Sequence, residues 1–332
     1  MFQTLRRFID GYTLALLGTM ALASVLPVSG AAARALDVVS VIAIAALFFL
    51  HGARLSREAI IAGLVNWRLH GVVLLATFAL FPLLGFVAQP LLREVLTPNL
   101  VLGVLFLCAV PSTVQSSIAF TSMARGNVPA AVCSASASNL VGVFATPMLV
   151  GALLSSHGQT GSPLQAIGAI VLQLLLPFVV GHLLRPWLRD ALARNEKLVG
   201  YSDRGTVLLI VYIAFSASVV DGLWRQASLS MLLATVIVVG VLLALVLAIT
   251  TFASRRLGFA REDEIVIVFC GSKKSLATGL AMAKILFAGN PALGMIVLPV
   301  MLFHQIQLMV CAVLAQRYAR RSAESADKSA LS

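Results

Sequence analysis

The chain has 332 residues, 60% of them hydrophobic and only 11% charged, with a mean hydropathy of +0.99 and a formal net charge of +11. A soluble domain carries about 25% charged residues, so this composition excludes an ordinary soluble enzyme. Nucleic acid is excluded as a partner too, because the basic residues fall in short gaps between apolar runs, with no basic stripe and no interleaved aromatics.

Apolar runs of about 20 residues recur along the chain, each long enough to cross a hydrocarbon layer of about 30 Å. In chain order they predict an all-α polytopic membrane protein with ten spans: 11–29, 35–52, 69–90, 100–122, 128–154, 164–184, 205–220, 229–253, 264–287 and 292–316. Arg6, Arg7 and AAARA at 31–35 also resemble a secretory signal with its cleavage site; the length of the apolar stretch favours a retained span. The polar tail from 319, ARRSAESADKSALS, is expected to be disordered. Cys108, Cys133, Cys270 and Cys311 stand singly in apolar runs and read as packing residues, neither disulfide-bonded nor metal-binding.

Lysine and arginine placement sets the orientation. With a cytoplasmic N-terminus, eighteen of these residues fall in cytoplasmic segments. Only Arg34, Arg93 and Arg225 fall outside, and Lys273, Lys274 and Lys284 lie within span nine. Both termini are therefore expected in the cytoplasm, with the protein in the inner (plasma) membrane.

Spans four and nine are alike. Residues 110–117 read VPSTVQSS and residues 270–277 read CGSKKSLA, so that Pro111 matches Gly271 and Ser112 matches Ser272. The turns GNVPAA at 126–131 and GNPALG at 289–294 follow them. Five spans per half is an odd number, so the halves (1–156 and 157–318, with the tail at 319–332) must be inverted. A breaker at corresponding depth in both halves is the pattern of an inverted-repeat transporter. Pro111 removes a hydrogen bond and Gly271 permits unwinding. Ser112, Thr113, Gln115, Ser116 and Ser117, with Ser272 and Ser275, either satisfy the freed backbone or bind a solute.

Lys273 and Lys274 lie roughly 3 Å from the bilayer centre, where a charge costs about 2.5–3.5 kcal/mol. The interface is about 15 Å away, beyond a lysine's reach. On an intact helix the two would point about 100° apart, whereas a broken helix lets both reach one cavity. There they attract an organic anion, helped by a half-helix N-terminus, or one of them loads and releases a proton. Lys284, near the outer end of the span, snorkels. Asp37, Asp221 and Glu264 sit at span ends and no carboxylate lies at the midplane, so a carboxylate-based sodium site has no anchor. The coupling ion is open, with a proton favoured over sodium, and no cofactor or metal is expected. His304, Gln305 and Gln307 in span ten and Asn139 in span five are candidates for the same cavity or for interhelical bonds. His51 and Gln173 read as structural, and Arg125 as a positive-inside charge.

These residues resemble the bile acid:sodium symporter superfamily. The string CGSKKSLATGLAMAKILF at 270–287 is similar to its SBF-like branch, related to solute carrier 10 member 7. The resemblance implies two inverted five-helix repeats, a panel of spans one, two, six and seven, and a core of spans 3–5 and 8–10 in which four and nine cross. Sodium-coupled members carry a Glu and a Gln where this chain has Phe269 and Lys273, and an Asn where it has Lys274. Their Ser-Asn pair falls at Ser117 and Ile118, and two hydroxyl positions in span five fall at Ala131 and Ala135. These departures argue against sodium coupling and against bile acid as substrate, because lysines stand where a cation otherwise binds.

The leading expectation is a secondary transporter of a small organic anion that works by alternating access. A membrane sensor or assembly partner built on a transporter fold is the alternative. An intramembrane enzyme lacks any paired-carboxylate, HExxH or GxSxG motif.

Overall fold

The computed structural model describes residues 11–54, 66–155, 168, 171–222 and 228–330. It is all-helical, with no strand among the described residues. Helices α1 (Gly11–Val25) and α2 (Gly30–Arg54) come first. Then α3 (Trp67–Leu75) runs through a π-helical turn (Ala76–Leu80) into α4 (Phe81–Val95). The fourth apolar run is two pieces, α5 (Pro98–Ala109) and α6 (Gln115–Met123), followed by α7 (Val128–Ser155). A second π-helical turn (Val171–Leu175) opens α8 (Leu176–Arg194), and α9 (Glu196–Val220) and α10 (Leu229–Arg256) follow. The ninth run is also two pieces, α11 (Arg261–Gly271) and α12 (Leu276–Leu286), before the long α13 (Leu293–Ala330).

Seven of these stretches are long and apolar enough to cross a membrane, and α1 and α5 are shorter apolar helices. The stretch Arg261–Leu286 is 94% buried, against 22–56% for the other six, so the broken ninth run is the axis of the bundle. Residues such as Leu14, Ile42, Phe86 and Ile237 are exposed, as a lipid-facing rim requires.

Three sequence-based boundaries change. Helix α8 runs to Arg194, ten residues past the expected end at 184, which puts Arg185 and Arg189 on a helix. The tail from 319 is helical through Ala330 and continues α13, because its Ala, Arg, Glu and Lys content favours helix once a preceding helix removes the cost of nucleation. Helix α9 starts at Glu196, nine residues before the expected span, which brings Asp203 and Arg204 onto a helix rather than a loop. Arg6, Arg7, Arg57 and Arg225 lie outside the described residues, as does part of the sixth span.

Two glycines seat α2 against α8. A Cβ on Gly52 would lie 1.9 Å from the Phe178 carbonyl oxygen, and one on Gly181 would lie 2.0 Å from that of Phe49. Only glycine lets the two backbones approach so closely. This contact places Arg54, two residues past Gly52, beside Arg185, four residues past Gly181.

Candidate functional site

The two breaks meet. The Ser275 amide donates to the Pro111 carbonyl at 2.8 Å, and Ser112 Oγ donates to the Cys270 carbonyl at 2.6 Å. Ser117 Oγ reaches the Phe269 carbonyl at 3.2 Å, and Ser272 Oγ the Val268 carbonyl at 2.6 Å. A broken helix leaves the last carbonyls of its first half without partners. Ser112, Ser117 and Ser272 are buried and serve that need. Gly271 lets the segments pack closely here: a Cβ would lie 3.2 Å from the Ala76 Cβ in the first π-helical turn, so the neighbour would have to give by a few tenths of an ångström.

Lys274 closes the crossing. Its ammonium has three N–H donors, and Nζ lies 2.9 Å from the Thr77 carbonyl, 2.9 Å from that of Cys108 and 2.7 Å from that of Val110. The π-helical turn exposes the Thr77 carbonyl, and the end of α5 exposes the other two. The cation therefore sits at the negative end of a half-helix dipole, beneath the Phe81 ring at 4.1 Å. Gln307 holds the same residue from α13: Oε1 accepts from the Lys274 amide and Nε2 donates to its carbonyl, both at 2.9 Å. Lys273 Nζ donates to the Ser116 carbonyl at 2.8 Å and lies 3.8 Å from the Phe120 ring centroid and 5.3 Å from that of Phe269.

Both lysines are fully buried. They do not share a cavity: one amine turns to α6 and the other to α5 and the π-helical turn. The unwound segment lets adjacent side chains leave in different directions, and carbonyls freed by the breaks draw each one into protein.

The open space lies beside them. A cleft of about 390 Å³ is bounded on the core side by Thr113, Gln115, Ser116, Asn139, Ser275 and His304, all expected from the sequence, and by Thr278. Asn139 also braces the fourth run, donating to the Ser112 carbonyl at 2.9 Å while its Oδ1 accepts from Thr278 Oγ1 at 2.9 Å. Gln305 lies on α13 but does not line this cleft.

Tyr12, His51, Asp203 and Arg204 form the opposite wall, from α1, α2 and α9. Asp203 is buried, and its Oδ2 lies 3.3 Å from Arg54 Nη1 and 3.3 Å from Gln115 Nε2. Its Oδ1 is buried without a hydrogen-bond partner among the described residues. Arg204 stacks over the Tyr12 ring at 5.5 Å.

The turns after the two breaks are built alike. Asn127 Oδ1 accepts from the Ala130 amide at 3.1 Å, and Asn290 Oδ1 accepts from the Ala292 amide at 2.8 Å. In both the asparagine oxygen accepts from a nearby backbone N–H: three residues on and inside α7 for Asn127, and two residues on, just before α13, for Asn290. Asn127 Nδ2 also donates to Asp263 Oδ1 at 2.9 Å, tying the fourth run to the entry of the ninth. Arg125 takes a left-handed φ of 63° in that turn.

The sequence profile of the SBF-like CPA transporter family matches residues 10–320. The chain belongs to this family. It is 60% identical over 317 residues to an uncharacterized Pseudomonas aeruginosa protein, PA2026, covering 96% of this chain and 95% of that one. It is 54% identical over 316 residues to an Escherichia coli K12 protein named as the symporter YfeH, covering 95% of each. It is 30% identical over 279 residues to the mouse sodium/bile acid cotransporter 7, covering 83% of this chain and 82% of that one. The SBF-like chain is therefore a membrane-embedded transporter and not an enzyme.

Sequence reasoning missed the SBF-like cleft's second wall. His51 read as structural, and Asp203 fell between the expected spans 164–184 and 205–220 without being singled out. The available signal was S-D-R at 202–204, an acid directly before an arginine at the mouth of an apolar run, which the early helix start turns inward.

Proposed function

We propose that this chain is a secondary active transporter of a small organic anion, working by alternating access in the cleft between α1, α2 and α9 and the crossing of the two breaks. Lys273 and Lys274 act as tethered replacements for bound sodium ions. The observation that carries this reading is the three-carbonyl cage around Lys274 Nζ. Unwound carbonyls and half-helix C-termini coordinate cations in broken-helix transporters, and here an ammonium supplied by the chain occupies that place.

Several features support the finer reading. Phe269, at the expected position of a carboxylate ligand, gives a ring face against the Lys273 ammonium. Ala131 and Ala135, at the two hydroxyl positions, are fully buried. The matched asparagine turns support two inverted repeats, 1–156 and 157–318, arranged as panel and core. Asp37 and Lys284 pair at 2.7 Å at the end of the molecule away from Arg54, Arg185 and Arg189. That charge separation supports an inner-membrane orientation with both termini cytoplasmic. With sodium displaced, a proton is the coupling ion.

Uptake into proteoliposomes tests the reading, with a panel of carboxylates and sulfates driven by either a pH jump or a sodium jump. Uptake is expected under the pH jump alone, and Lys273→Ala and Lys274→Ala are expected to abolish it. Sodium-driven uptake at constant pH would refute the replacement of sodium by lysine. Anion binding without any flux would instead point to a membrane sensor.

A further inference from the structure

Beside the cleft lies a smaller cavity, of about 330 Å³, that the transport reading does not use. Arg54, Arg185 and Arg189 line it, Gln115 joins it to the cleft, and among the described residues none that lines it is acidic. Arg54 comes from the end of α2 and Arg185 and Arg189 from the polar half of α8, brought to one cavity by the glycine contacts between the two helices. Gln115 opens the nine-residue half-helix α6, whose N-terminus adds partial positive charge. Asp203 lies 3.3 Å from Arg54 and its side chain is 10% exposed, while the Arg54 side chain is 30% exposed. Among the described residues, Asp203 spans Arg54 and Gln115, and its second oxygen is buried without a hydrogen-bond partner.

We infer that this cavity is a binding site for a divalent oxyanion group, phosphate or sulfate in type, and that Asp203 is a built-in competitor which holds Arg54 until the anion arrives. Three arginines line the cavity, and Asp203 is the one carboxylate paired with any of them among the described residues, an excess of positive charge that suits a doubly charged group. The fork of N–H donors on arginine matches tetrahedral oxyanions, which accept two parallel bonds from each fork. The cavity exceeds the volume of a bare phosphate or sulfate, so the rest of an organic anion extends past Gln115 into the cleft. Arg54 then passes from Asp203 to the ligand, and the occupied site is wired to α6 through Gln115. The inference rests on the transport reading only for its ligand class. It also moves anion recognition from the lysines to the arginines.

Sulfate serves as the probe, because it stays doubly charged across the useful pH range. Binding is measured by calorimetry on the full chain in nanodiscs of neutral phosphatidylcholine. Sulfate is expected to bind. Arg54→Gln and Arg185→Gln should each weaken it roughly tenfold, the equivalent of one charge-assisted hydrogen bond. Asp203→Asn should tighten it by about the same factor, a gain that a misfolded variant cannot produce. Arg256→Gln, which removes an arginine stacked on Phe252 on another helix, should leave it unchanged. A lipid headgroup is the other source of the same chemistry. Phosphatidylglycerol in the nanodiscs that blocks sulfate in the wild type, and is retained less by Arg185→Gln, assigns the site to lipid; sulfate binding indifferent to phosphatidylglycerol assigns it to a soluble anion.

The site is overturned if neither sulfate nor phosphatidylglycerol binds, or if Arg54→Gln and Arg185→Gln leave both affinities intact. The competitor role is overturned if Asp203→Asn fails to tighten binding. Because these are equilibrium measurements without flux, they fail independently of the uptake assay.

Discussion

At the crossing of the two breaks, Lys273 and Lys274 are fully enclosed, and each of the three donors of Lys274 meets a backbone carbonyl within 2.9 Å. On the facing side, around the cleft and the smaller cavity beside it, Arg54 keeps 30% of its side chain exposed, Asp203 leaves one oxygen without a partner among the described residues, and Arg185 and Arg189 line open space. Both regions place positive charge in an apolar bundle, and they use it differently. Charge at the crossing is spent on the protein's own backbone, so it stabilises a broken helix that otherwise exposes carbonyls to a water-poor interior. Charge on the cleft wall is only partly satisfied, so it remains available to a ligand.

The largest expected effect tests the first half of this contrast. Lys274→Met keeps most of the volume but removes all three donors, leaving the Thr77, Cys108 and Val110 carbonyls bare. A loss of roughly 3 kcal/mol or more follows at 1–3 kcal/mol for each unsatisfied buried group, read as a fall in the thermal midpoint of detergent-solubilised protein. An unchanged midpoint would dissolve the contrast. Lys273→Met removes one carbonyl contact and the ring contacts with Phe120 and Phe269, and should cost about 2 kcal/mol in the same measurement.

Gly181→Ala probes the scaffold under the cleft wall. The added Cβ would sit 2.0 Å from the Phe49 carbonyl oxygen, so α2 and α8 must separate at a cost of about 1–3 kcal/mol. Sulfate affinity should fall with it, as Arg54 moves away from Arg185. Asn127→Ala and Asn290→Ala each remove one asparagine-to-backbone bond worth about 1 kcal/mol; equal losses sharpen the likeness of the two halves, and grossly unequal ones weaken it. The smallest effect is expected from Arg54→Gln on stability. A partly exposed ion pair contributes about 0–1 kcal/mol, so this variant should melt almost as the wild type does while binding sulfate poorly. A loss as large as that of Lys274→Met would mean that the two regions handle charge alike.

Hydropathy alone, at a mean of +0.99, determined that the chain is helical and membrane-embedded. The matched strings at 110–117 and 270–277 located both breaks, because Pro111 carries its steric effect in its own covalent structure. The polar residues around the breaks were legible as a set: Thr113, Gln115, Ser116, Asn139, Ser275 and His304 do face one cleft.

Tertiary structure decided how that set divides. Ser112, Ser117 and Ser272 are drawn to the Cys270, Phe269 and Val268 carbonyls, and the two lysines part company although they are neighbours in sequence. A side chain's choice between backbone and solute depends on which carbonyls a distant segment brings within 3 Å, and hydropathy does not record that. The facing wall was illegible for the same reason. His51 and Arg54 on α2, Arg185 on α8 and Asp203 on α9 come from three distant parts of the chain, and only the close seating of α2 on α8 and the early start of α9 collect them around the cleft and the cavity beside it.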